Sequence, residues 1–137
     1  VYGNKLSERE SQKKAVEVLE MIGLADNMYV FAGKLSLLNR KRLEIGRALA
    51  SNPKVLMFDE VAGGLTESEV AKILDIVEDV KNQGISIVWI EHVLRTMLEG
   101  TDRVMCLAEG SNIACGLPAD VMGSKEVSDV YLGAEEE

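Results

Sequence analysis

Val55-Leu56-Met57-Phe58-Asp59-Glu60 decides how this chain is read. An apolar run of this length predicts a strand buried on both faces. Two adjacent carboxylates close it, and a carboxylate at the edge of a core is costly unless it is paired or bound to a cation. An open α/β sheet gives such acids a use, because its ligands sit beyond the carboxyl ends of parallel strands. There an Asp can hold Mg²⁺ and the next Glu can orient or activate a water. The same residues also suit a core strand that ends in a solvated acidic turn.

On the N-terminal side, Asn52-Pro53 stops the helical pattern Leu43-Glu44-Ile45-Gly46-Arg47-Ala48-Leu49-Ala50. Leu35 to Asn39 and the basic run Arg40-Lys41-Arg42 precede it. Such a run commonly forms a solvated helix face, which is the reading taken for Lys41. Earlier still, Ser7-Glu8-Arg9-Glu10 has the capping-box pattern. Ala15, Val18, Leu19 and Ile22 follow at helical spacing, predicting a helix over 8–22 ended by Gly23. Residues 24–34 are less regular.

On the C-terminal side, Gly63 and Gly64 lie in a small-residue turn, and Thr66-Glu67-Ser68-Glu69 is a second capping box. Val70, Ile73, Leu74, Val77 and Val80 make one helical face, and Gly84 ends the helix. Ile85 to Ile90 is a second buried-strand run, closed by Glu91 and His92. A short helix is expected over 93–99. Arg103–Ala108 and Ile113–Cys115 read as a strand pair around the turn Glu109–Asn112. Pro118 opens a further helix near its first position, and a last helical stretch is expected from Lys125 to Leu132, before a small acidic tail. Alternating helices and strands predict an α/β fold with a mostly parallel sheet flanked by helices. Asn52-Pro53 divides a helical part, 1–52, from a sheet part, 53–137.

The 137 residues suit one domain with a real core, and 47% hydrophobic with 28% charged residues is an ordinary globular composition. A net charge of −8 argues against nucleic acid or an anionic membrane as the main partner. No apolar run approaches the roughly 20 residues of a membrane span. Cys106 and Cys115 read as small core residues of a reducing compartment. The first residue, Val1, suggests a start inside a longer protein.

In order and spacing, Leu35 to Leu49, Asp59-Glu60, Gly64-Leu65 and His92 resemble the C-terminal half of an ABC-transporter ATPase, over almost the whole chain. Arg42-Leu43-Glu44-Ile45, Ile90-Glu91-His92 and the ending Tyr131-Leu132-Gly133 look most like the ATP-binding subunit of branched-chain amino acid importers. The resemblance implies a partial P-loop NTPase fold, with residues 1–52 forming part of the helical subdomain and 53–137 part of the catalytic core. Asp59 matches the Walker B aspartate, which holds Mg²⁺ through water. Glu60 matches the catalytic carboxylate that polarises the attacking water. His92 matches the switch histidine that senses the γ-phosphate. Gly63, Gly64 and Leu65 match the D-loop. Ser36, Leu37, Leu38 and Asn39 match the signature loop that contacts ATP on the opposite subunit, where a hydroxyl and helix N–H groups meet the anion.

Departures are informative. Leu37-Leu38-Asn39 replaces the usual Gly-Gly-Gln, Val61 the usual Pro, and Thr66 a common Asp. The Gly-x-x-x-x-Gly-Lys-[Ser/Thr] phosphate loop is absent from the sequence. Gly33-Lys34 imitates it, but Met28 and Leu35 stand where Gly and Ser or Thr belong. ATP and Mg²⁺ are therefore not expected to bind tightly to this chain alone, which is expected to hydrolyse no ATP and to self-associate through uncovered apolar surface.

The implied partners are a second ABC ATPase subunit, membrane permease subunits and, indirectly, a periplasmic or extracellular solute-binding protein, with no nucleic acid. The implied location is the cytoplasmic face of the cell membrane. Two alternatives remain: an ABC-type ATPase of DNA repair or chromosome maintenance, and a non-catalytic dimerisation or regulatory module.

Overall fold

Both capping boxes form. A computed structural model describes residues 6–131. The expected helix end at Leu132, the Leu132-Gly133 match and the acidic tail lie outside the described residues. Ser7 caps helix α1 (Glu8–Met21): Glu10 accepts from the Ser7 N–H at 2.8 Å and from its hydroxyl at 2.7 Å. Gly23, at φ +67°, takes the left-handed conformation that ends the helix. The irregular stretch contains two single-turn 3₁₀ helices, Ala25–Asn27 and Ala32–Lys34. Helix α2 (Leu37–Leu49) follows, then strand β1 (Val55–Asp59), helix α3 (Glu67–Asn82) and strand β2 (Ser86–Ile90). Glu69 closes the second box on Thr66, accepting from its N–H and its hydroxyl, each at 2.9 Å.

The chain divides into two compact units, the first ending at Glu91 and the second beginning at His92. In the first, β1 and β2 run parallel, in register from Val55↔Ser86 to Asp59↔Ile90, with α3 as the crossover. Leu56 and Phe58 of β1 join one core with Val18 and Ile22 of α1, Ile45 and Leu49 of α2, and Ile73, Val77 and Val80 of α3. Trp89 packs beside that core, its ring meeting Phe58 edge-on at 5.9 Å. Of the helix face predicted for α3, Val70, Ile73, Val77 and Val80 are buried and Leu74 is half-buried, while Ile76 is buried in addition.

The expectation that β1 is buried on both faces fails. Leu56 and Phe58 are buried, whereas Val55 is 52% and Met57 77% exposed. On β2, Val88 and Ile90 are exposed on the same face. A run of consecutive apolar residues says that both faces can be covered, and here the described residues cover one.

In the second unit, helix α4 (Leu94–Gly100) precedes strands β3 (Val104–Ala108) and β4 (Ser111–Gly116) and the short helices α5 (Pro118–Met122) and α6 (Lys125–Tyr131). The strands form an antiparallel hairpin. Its turn is tighter than expected: Glu109 and Gly110 alone make it, both at positive φ (49° and 76°), as two-residue hairpins favour. Asn112 therefore belongs to β4. Val104 and Cys106 share a core with Met97, Val121 and Val127. Cys115 is exposed, not a core residue, and both thiols are free. The described sheets are one parallel pair, β1 with β2, and one antiparallel pair, β3 with β4.

Candidate functional site

β1 delivers Asp59 as its last residue, opposite Ile90, and Glu60 as the first residue beyond it. Both carboxylate residues are exposed. Glu60 has φ +48°, a left-handed conformation that a side chain with Cβ adopts at a cost. The backbone around it is held on both sides. Its N–H donates to the Ile90 carbonyl at 2.9 Å, and its carbonyl accepts from the Gly63 N–H at 3.2 Å and from Lys41 Nζ at 3.1 Å. One residue further, the buried Ala62 donates its N–H to Glu91 Oε1 at 2.7 Å. The end of β2 therefore grips the turn at two points.

α2 meets the turn from another side. Leu37 and Lys41 are four residues apart and share a helix face. A Cβ on Gly64, which has φ +77°, would lie 3.3 Å from Leu37 Cδ2. Gly63, Gly64 and Leu65 thus lie in a turn tied to Glu60 and in contact with the start of α2. Leu65 also packs against the core.

Two expectations need correction. Leu37, Leu38 and Asn39 form no loop; they are the first turn of α2, capped by Ser36, whose hydroxyl accepts the Asn39 N–H at 3.3 Å. Leu is a strong helix former, which suits Leu37 and Leu38 to the first turn after the Ser36 cap. Leu38 is buried, so its side chain serves the core. Lys41, in turn, is half-buried and occupied with the Glu60 carbonyl, not a freely solvated residue. Arg42 also turns inward, with Nη1 3.5 Å from the Gly23 carbonyl.

The structure brings Ser36–Asn39, Asp59-Glu60 and Gly63–Leu65 into one unit. His92 is exposed and opens the second unit. The contributions of Lys41, Glu91 and the Ile90 carbonyl were not foreseen. Glu91 carried a signal, since it is a second carboxylate at the end of an apolar strand.

The donor set suits Mg²⁺ in one form. Among the described residues no group of three or more His, Cys, Asp or Glu could hold a metal. Mg²⁺ bound with a nucleotide needs only one or two carboxylates, with phosphate oxygens and water completing the shell. Asp59, exposed at a strand end, fits that role.

No protein-family model matches the chain. It is 33% identical over 130 residues to the lipopolysaccharide export ATP-binding protein LptB of Haemophilus influenzae, covering 95% of this chain and 54% of that protein. It is 30% identical over 128 residues to LivG of Salmonella typhimurium, a high-affinity branched-chain amino acid transport ATP-binding protein, covering 93% of this chain and 50% of LivG. The crystal structure of MJ1267, an ATP-binding cassette of an ABC transporter in its ADP conformation, superposes with a TM-score of 0.87 at 32% identity, over 94% of this chain and 52% of that one. The chain is a relative of ABC-transporter ATP-binding subunits. Its fold is that of an ABC ATPase cassette, in part, because the chain spans about half the length of the relatives it matches. The ABC relatives include both LptB and LivG at similar identity, so the likeness reaches the ATPase subunit and stops short of the solute.

Proposed function

We propose that this chain supplies the catalytic carboxylate, the switch histidine and the signature helix of an ATPase that powers an ABC transporter. The observation that carries the reading is the Glu60 backbone, held at positive φ by Ile90, Gly63 and Lys41 at the carboxyl end of a parallel strand. Phosphoryl transfer is mostly positioning and charge stabilisation, so a carboxylate on a fixed backbone suits the task. Glu60 orients the attacking water and Asp59 holds Mg²⁺, which neutralises charge on the phosphate oxygens. His92 reads the γ-phosphate, donating from one ring nitrogen. The Ser36 hydroxyl and the start of α2 face the nucleotide of an opposite subunit, with Gly63–Leu65 alongside.

In this reading the ATPase works as a dimer on permease subunits at the cytoplasmic membrane face, and a solute-binding protein feeds the permease. The solute class is branched-chain or other hydrophobic amino acids. Arg42-Leu43-Glu44-Ile45, Ile90-Glu91-His92 and the likeness to LivG support that choice. The chain by itself hydrolyses no ATP, because its sequence holds no phosphate loop.

Leucine uptake by the host, with and without the gene, tests the solute. Deletion lowers uptake and the restored gene recovers it; unchanged uptake rejects this solute class. His92→Ala in the host's gene product lowers kcat more than ATP affinity, and the reverse pattern removes the switch role.

A further inference from the structure

One face of α2 lies against the Glu60–Gly64 turn. We propose that Lys41 is a positioning residue: its ammonium, bound to the Glu60 carbonyl, ties the orientation of α2 to that of the Glu60 carboxylate in the same subunit. The inference rests on Glu60 being the catalytic carboxylate.

Three observations converge. Lys41 Nζ lies 3.1 Å from the Glu60 carbonyl oxygen, across 19 residues of sequence. Glu60 sits at φ +48°, so the peptide after it must be held for the side chain to keep its direction. Leu37, one helical turn before Lys41, lies so close to Gly64, on the far side of the same turn, that a Cβ added there would be 3.3 Å from its Cδ2. One helix face thus holds both ends of the turn, by charge at Glu60 and by packing at Gly64.

The opposite side of the turn is anchored differently. Ile90 and Glu91 hold the N–H groups of Glu60 and Ala62 from the end of β2. The sheet therefore fixes the amides, and α2 holds the Glu60 carbonyl together with the Gly63 N–H. A shift of α2 would pull on the carbonyl against fixed amides and rotate the backbone about Glu60. Since Ser36 caps the N-terminus of α2, the event to which the helix would respond is an anion meeting that end. Lys is well suited to the link, because its ammonium can follow a carbonyl through small displacements on a flexible stem.

Hydrogen exchange on the 137-residue chain and steady-state ATP turnover of the host's gene product test this together. Lys41→Met keeps stem length and helix propensity and removes the charge. The expected result is faster exchange at the amides of Ala62–Leu65 with α3 unchanged. Turnover should fall roughly tenfold or more, with KM for ATP and Tm preserved, as for a misplaced catalytic group. Lys41→Arg restores both, and Lys41→Gln, which keeps an N–H donor, is intermediate. Unaltered exchange in the turn, or a loss of turnover that tracks Tm, overturns the tether. Full turnover of Glu60→Gln would instead sink the catalytic reading on which the tether rests, and the exchange result tells the two failures apart.

Discussion

Glu91 Oε1 accepts the backbone N–H of Ala62 at 2.7 Å, joining the end of one strand to the turn that follows its neighbour. A carboxylate is a strong acceptor for a buried amide, and the bond closes a bracket begun by Glu60 N–H and the Ile90 carbonyl. The last residues of β2 thereby set the path of the chain away from Asp59 and Glu60.

Replacing Glu91 by Leu leaves the Ala62 amide without that acceptor. The expected cost is about 1–3 kcal/mol. Urea denaturation measures it, and Glu91→Gln, which keeps a carbonyl oxygen, should recover much of the loss. Equal stability of the Leu variant and the wild type would mean that the bond contributes nothing.

Gly64→Ala tests the contact with α2. The residue has φ +77°, and the new Cβ would crowd Leu37 Cδ2 at 3.3 Å. Strain at positive φ alone costs roughly 1 kcal/mol. Leu37→Ala should relieve the crowding and leave the strain, so the double variant is more stable than the sum of the single losses predicts. Strict additivity would remove the contact from the account.

The capping boxes make stability depend on pH. Side-chain and then backbone hydrogen bonds from Ser7 hold the Glu10 carboxyl below its ordinary value of 4.5. For Glu69 the backbone bond from Thr66 leads and the hydroxyl follows. A lowered folded value means that the folded state binds the proton less readily than the unfolded one. The contribution is therefore complete above the ordinary value and is lost as pH falls through the lowered one. Tm should drop below about pH 4.5, and a Glu10→Gln, Glu69→Gln double variant should flatten that part of the profile. An unchanged slope would contradict the assignment.

Val55 and Met57 share an exposed face with Val88 and Ile90. Apolar surface of this kind drives association, so the 137-residue chain should self-associate in light scattering. Met57→Glu with Val88→Lys places opposite charges on register partners and should lower the scattering mass. A monomeric wild-type chain would refute the expectation.

The sequence resolved local structure where chemistry is local. Ser7, Thr66, Gly23 and Gly84 mark helix ends through caps and left-handed backbone, and each does so in the structure. The strands β1 and β2 were visible as apolar runs closed by acids. Which face of them is covered was not visible, because Val55 and Met57 are as apolar as Leu56 and Phe58. The start of α2 was misread because the resemblance implied a loop where Leu37 and Leu38 favour helix. The strand end at Asp59-Glu60 was legible in the sequence, and β1 ends at Asp59 with Glu60 just beyond it. Lys41 and Glu91 bond to backbone atoms, and such a partner has no side-chain identity to read; only the placement of Glu91 at the end of an apolar strand is visible in the sequence.

The most direct test is Mg-ATP turnover by the gene product purified as its host makes it, wild type against Glu60→Gln. The account predicts that the variant still binds ATP and that turnover falls by on the order of a hundredfold or more. Turnover at the wild-type rate would show that Glu60 is not the catalytic carboxylate, and the functional reading of the β1 strand end would fall with it.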